Sequence, residues 1–220
     1  MANILAIDTS TDTCSVSIGK ENEVFSFHEN IPRQHTEKLF SIIADLLEES
    51  KLSYEELDAV AVGTGPGSYT GIRLSCAVAQ GILFSQSIKG ISLSSLELLS
   101  IEANKESPSS TFVAISQENL GNVYIAESSF SDGDIKSKFR LISSDLFKRE
   151  GFPEDCHFVG EGCALFPEVI NVLPGAIPKS KYLLEIAKKR LNKSELIEPE
   201  EILPVYLNDE NSWKKIKWLI

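Results

Sequence analysis

The stretch VGTGPGSYTGIRLSCAVAQGILFSQ, residues 62–86, carries a single charged side chain, Arg73, in a chain that is 24% charged. Leading into it, residues 59–62 form an apolar run suited to a strand buried on both faces. Gly63, Gly65, Pro66, Gly67 and Gly71 mark a turn, and the apolar residues beyond it predict a helix over residues 72–86. Strand, glycine turn and helix in that order begin a parallel α/β unit.

The turn fits neither common phosphate-binding template. G-x-x-x-x-G-K-[ST] needs a lysine, and none occurs between Lys51 and Lys89. G-x-G-x-x-G fails because Ser68 stands at the third glycine's place. What remains is a turn whose Gly65, Pro66 and Gly67 permit close backbone approach, followed by a helix N-terminus able to attract an anion. The helix says more. Ile72, Leu74, Val78, Ile82, Leu83 and Phe84 leave it no charged side beyond Arg73, and a helix apolar all round must be covered all round. One side can lie on its own sheet; the other needs a partner protein or the second half of this chain. The small residues Ala77, Ala79 and Gly81 would let another helix come close.

Outward from this unit, residues 3–8 and 14–19 flank a polar turn and read as a hairpin, with a third strand over residues 23–28. Leu39, Ile42, Ile43, Leu46 and Leu47 recur at helical spacing and predict an amphipathic helix over residues 36–50. Ser53 and Glu56 form a capping box. Residues 88–92 read as a strand, 94–104 as a helix and KESPSS, 105–110, as a linker. Strands are then expected over residues 111–115, 122–128 and 135–141, a helix capped by Ser143 or Ser144, a strand over 157–160, and helices over 163–172 and 178–192. The order βββαβα recurs. It predicts an α/β chain of two related halves, residues 1–104 and 111–220, the second reduced and its last residues free to pack back on the first.

The 220 residues, 42% of them hydrophobic, suffice for a sizeable core. A formal net charge of -11 repels polyanions, so autonomous binding to nucleic acid or anionic lipid is disfavoured. No apolar run approaches the roughly 18 to 20 residues of a membrane helix. Cys14, Cys76, Cys156 and Cys163 make no C-x-x-C pair and the opening residues carry no signal-peptide core, which predicts a reduced, cytoplasmic protein. The histidines, His28, His35 and His157, form no H-x-x-x-H pair, and Cys156 and Cys163 read as buried thiols rather than metal ligands. Nor is there a G-x-S-x-G elbow. Asp8, followed by Thr9, Ser10 and Thr11 at a strand end, suits either a hydrated magnesium or a local turn cap. Residues 213–220, WKKIKWLI, suit either contact with RNA or a packed terminal helix.

These residues together resemble the TsaB (YeaZ) family. The resemblance is carried by ILAIDTS at 4–10, CSVSI at 14–18, RQHT at 33–36 and above all VGTGPGSYTGIR at 62–73, with fainter echoes in GNVY at 121–124, FVGEG at 158–162 and PVYL at 204–207. Where such proteins show Asp-Ala-Arg before G-x-V-Y, this chain has Ser116, Gln117, Glu118 and Asn119; Asn208 follows PVYL where arginine is common.

The resemblance implies an actin-like, Hsp70-like ATPase (ASKHA) fold of two βββαβα-type lobes. It also implies a non-catalytic scaffold and activator for forming N6-threonylcarbamoyladenosine beside the tRNA anticodon. Such a subunit docks its helices, here residues 36–50 and 72–86, on the catalytic relative TsaD, and the ATPase TsaE joins the pair. It reaches tRNA only through that complex and forms a homodimer when alone. Contact then falls to Arg73, Ala77, Gln80, Gly81 and Phe84, with Leu39 and Ile43 on the neighbouring helix. TsaD's H-x-x-x-H is replaced here by SLSSL, residues 92–96, so neither a metal ligand nor a catalytic residue is expected. Asp8, Thr9, Ser10, Gly65 and Gly67 are the residues offered for a weak nucleotide contact, with ATP or ADP and magnesium expected only at the complex interface. Two other readings of the same fold are a small-molecule kinase or ATPase and a glycopeptidase-like hydrolase.

Overall fold

A computed structural model describes residues 2–109, 111–118, 121–131, 134–153 and 155–205. The chain runs β1 (Ile4–Asp8), β2 (Thr13–Lys20), β3 (Glu23–Asn30), α1 (His35–Ser50), β4 (Ala59–Gly63), α2 (Tyr69–Gln86), β5 (Gly90–Leu93) and α3 (Ser95–Glu106). It continues with β6 (Thr111–Gln117), β7 (Asn122–Ser131), β8 (Asp134–Ser143), α4 (Ser144–Arg149), β9 (His157–Val159), β10 (Val172–Leu173) and α5 (Ser180–Asn192). Two sheets result, ordered β3-β2-β1-β4-β5 and β8-β7-β6-β9-β10. In each, three antiparallel strands are followed by two parallel ones, so the second sheet repeats the first.

The period of two along the strands decides what covers each face. On the first sheet Leu5, Ile7, Val16, Ile18, Val60 and Val62 face α1 and α2, while Ile4, Ala6, Ala59 and Ala61 face α3 and α5. The alanines leave room for α5 to lie close. In CSVSI the serines take the α5 side, where Ser15 Oγ accepts from Ser180 N at 2.9 Å and Ser17 Oγ lies 2.7 Å from Ser180 Oγ. On the second sheet Phe112, Ala114, Tyr124 and Ala126 meet the other side of α3. The opposite face, with Val113, Ile115, Val123 and Ile125, is covered by Phe147 of the six-residue α4 and by Cys163 and Phe166 around the 3-10 turn Glu161–Leu165.

Several expectations are corrected. The helix between the two sheets is α3: apart from half-buried Glu97, its residues from Ser95 to Ala103 are buried, including Glu102. Glu102 is accommodated by an ion pair with Lys179 and a 3.1 Å bond accepted from Ile177 N, and burial pushes its carboxyl above the usual range. The linker expected at 105–110 is helical in its first two residues. α3 continues through Glu106 and packs on the second sheet, while α5 and Ile202 return to the first. No helix spans residues 163–172; the 3-10 turn ends at Leu165, Pro167 withholds the donor a helix needs, and Asn171 turns at φ 59° into β10. α2 begins three residues early because Ser68 caps it, its hydroxyl accepting from Gly71 N at 3.3 Å. Asn119, the end of PVYL, Asn208 and residues 213–220 lie outside the described residues.

Candidate functional site

Two regions bear on function: the glycine turn with the cleft beside it, and the outer side of α1 and α2. At the turn, a side chain on Gly63 would run into the Asp8 carboxyl, on Gly67 into the Ser10 carbonyl, and on Gly71 into the Thr9 carbonyl. The glycines are needed because residues 8–10 lie flush against them. Ser68 N donates to Ser10 O at 2.6 Å, and Thr9 Oγ1 donates to Gly71 O at 2.7 Å. Gly65, at φ 93° before a cis bond to Pro66, has its carbonyl bonded by Ser95 N at 2.9 Å and Ser94 Oγ at 3.0 Å. The backbone approach that the glycines permit is thus taken up by the chain's own β1–β2 turn.

Asp8 is sealed in this contact. Its carboxylate accepts from Ser10 N at 3.0 Å, Ser10 Oγ at 2.7 Å and Ser95 Oγ at 3.0 Å, and burial pushes its pKa upward against those bonds. Asp8 and Thr9, offered as nucleotide contacts, are buried and do not line the cleft; Ser10 and Gly67 do. That cleft, about 720 Å³, lies between the turns of the two sheets and includes Arg73, Glu118 and Glu161. Arg73 stacks its guanidinium 3.3 Å over the Tyr69 ring. At the end of β6, Glu161 accepts from Ser116 Oγ at 2.7 Å and Gln117 N at 3.2 Å. Sequence reasoning missed Glu161, although it lies within the FVGEG echo. Among the described residues no His, Cys, Asp and Glu side chains converge as a metal set. The four buried thiols are pushed up, Cys14, Cys76 and Cys163 to about 12 and Cys156 to about 11, by burial first.

The second region is a groove of about 410 Å³ between α1 and α2, floored by Ala77, Val78, Gly81 and Ile82 and walled by Phe40 and Tyr54. Phe84 and Phe40 are 58% and 59% exposed. Ala77 and Gly81 are exposed, and a Cβ on Gly81 would meet no atom within 4 Å. Arg73 and Gln80 are half-buried, Gln80 Nε2 donating to Ile202 O at 3.0 Å. Leu39 and Ile43, placed on the contact surface by sequence, are corrected: both are fully buried in the core beneath α1. The residue α1 presents is Phe40, an aromatic one step off its apolar stripe, and that displacement was the available signal.

Two mixed five-stranded sheets of like strand order, with helices between them and outside the first, define an ASKHA-like α/β protein. Two solved structures from Pseudomonas aeruginosa are similar throughout. One is described as YeaZ, with 29% identity and TM-score 0.86, and one as an uncharacterized protein with similarity to the peptidase YeaZ, with 28% identity and TM-score 0.87; each comparison covers 94% of this chain and 100% of the other. Residues 28–130 match the family described as TsaD, tRNA N6-adenosine threonylcarbamoyltransferase. The tRNA threonylcarbamoyladenosine biosynthesis protein TsaB of Haemophilus influenzae is 32% identical across 97% of this chain and 96% of its own length. That of Escherichia coli is 27% identical across 97% of each. The chain belongs to the TsaB family.

Proposed function

We propose that this chain is a non-catalytic scaffold and activator in tRNA N6-threonylcarbamoyladenosine formation, docking the outer side of α1 and α2 onto a catalytic subunit of the TsaD class. One observation carries the reading: α2 has an apolar outer side that the rest of the described chain leaves uncovered, so Phe84 and the Phe40 wall stand in water. Leaving such side chains out forgoes about 1.5 to 3 kcal/mol each. The TsaD-family match spans α1 and α2, so a catalytic partner brings the same helical pair, and two such pairs can meet about an approximate two-fold axis. Arg73, Ala77, Gly81 and Phe84 form the contact, with Gln80 steadying the segment at Ile202. Without the partner the same side closes on a second copy. The chain works in the cytoplasm as one part of a two-lobed assembly that a TsaE-class ATPase joins.

The non-catalytic part of the reading is supported by Asp8, whose oxygens are engaged by Ser10 and Ser95, and by the turn filling its own glycine cradle. In this reading ATP or ADP with magnesium would bind only at the joint interface, and tRNA is reached through the complex. The test is reconstitution. Wild-type chain with its TsaD-class partner should support tRNA modification and co-elute with the partner, and Phe84→Asp should lose both. Light scattering showing Phe84→Asp still dimeric and still partner-bound would reject the surface. Tight magnesium-ATP binding by the isolated chain in calorimetry would favour the kinase reading instead.

A further inference from the structure

Positive charge in this acidic chain is gathered on one helix. Residues 179–193 hold Lys179, Lys181, Lys188, Lys189, Arg190 and Lys193 against a single acid, Glu185, although the chain as a whole has 21 basic and 32 acidic residues. Lys179 pairs with buried Glu102, and Arg190 Nη1 donates to Ser92 O at 2.6 Å. Lys181, Lys189 and Lys193 are exposed and Lys188 is half-buried, its stem against Gly19 of β2; together they span about 18 Å of helix. Lys105, from the end of α3, joins them; its ammonium and that of Lys181 lie 5.9 Å and 4.8 Å from the centre of the half-exposed Tyr182 ring. The facing carboxylates are Glu185, 2.9 Å from Lys105, and Asp134, 3.8 Å and 3.6 Å from Lys189 and Lys193; Lys188 reaches only the Glu21 carbonyl, at 3.2 Å.

Helix stability does not account for this arrangement. Lysines at the C-terminal end of α5 complement its dipole, but Lys181 sits in the first turn, at the positive end, where no acid offsets it. The location also matters. α5 covers the side of the first sheet opposite to α1 and α2, so it stays open when a partner occupies the groove.

We propose that the outward side of α5 contacts the phosphates of the RNA held by the assembly. This rests on the reading above that the chain works in tRNA modification. A phosphodiester backbone presents charges in a row, which spaced ammonium groups along the helix match. The acidic remainder of the chain keeps the contact weak until a partner brings the RNA close.

The test compares wild type with the triple variant Lys181→Gln, Lys188→Gln, Lys189→Gln, using labelled tRNA anisotropy across a salt series on the complex with a TsaD-class partner. The variant should bind at least about tenfold more weakly at low salt, and its plot of log affinity against log salt should flatten by about 2 to 3, near 0.7 to 0.9 per lost contact. A triple Lys→Arg variant should bind like wild type. Equal affinity and slope in the glutamine variant would overturn the proposal, as would loss of binding to phosphatidylglycerol vesicles with tRNA binding unchanged. Gel filtration reads partner docking separately. If no complex forms, the function proposed above fails, and α5 is judged on photo-crosslinking of tRNA at position 182 in the chain alone at low salt. Crosslinking that the glutamine variant loses supports the surface, and absent or unchanged crosslinking overturns it.

Discussion

Gly81→Gln should move stability and docking in opposite directions. Gly81 sits inside α2, exposed, with no atom within 4 Å of the position a Cβ would take. In the free chain the substitution therefore removes most of the cost of glycine in a helix, about 0.5 to 1 kcal/mol. For a chain of this size that raises the melting midpoint by up to about 4 °C. In the docked state the same side chain stands on the floor of the groove between Phe40 and Tyr54, where a partner helix has to come close. Overpacking of that kind costs about 1 to 3 kcal/mol, which is roughly a 5- to 150-fold loss of affinity. Differential scanning fluorimetry at dilutions that keep the chain monomeric, paired with calorimetric titration of a TsaD-class partner, reads both quantities. A stabilised variant that binds as tightly as wild type would refute the claim that this groove is the docking surface. A destabilised one would refute the openness of Gly81.

Gly71→Ala is the contrasting case, because its Cβ would fall on the Thr9 carbonyl, backbone against backbone; a loss of about 3 kcal/mol or more is expected, visible as a melting midpoint lower by about 6 to 12 °C. Asp8 should give a pH signature. Its pKa is raised in the folded chain, so its contribution to stability is complete below the ordinary value of 3.8 and is lost as pH rises through the folded value. Because Asp8→Asn cannot titrate, the difference in melting midpoint between wild type and variant should shift toward wild type as pH falls toward 3.8; a difference constant down to that pH would contradict it. The thiols, buried and pushed up to about 11 or 12, should be unreactive to Ellman's reagent at pH 8 in the native chain, and all four should react in denaturant.

The strand, glycine turn and helix of residues 59–86 were legible because composition and period both change there, and the repeated βββαβα order follows from that unit and the two hairpins. What sequence could not show was which helix lies between the sheets. α2 is the more apolar, yet α3, with Glu102 at its centre, takes that place because Lys179 and Ile177 N come from a distant segment to meet the carboxylate. The same limit applied at Leu39 and Ile43. Helical spacing correctly grouped them, but a stripe facing the core and a stripe facing a partner look alike until the sheet is in position. Glu161 and Ser116 are the converse: separated by three strands and a helix, they meet only in the fold.

Hydrogen exchange, followed by mass spectrometry on the chain with and without its TsaD-class partner, tests the central claim most directly. Protection gained on the α1 and α2 peptides, around Phe40 and from Arg73 to Phe84, is the predicted result. Protection confined to α5 or the second sheet, with α1 and α2 unchanged in a complex that has formed, would contradict it.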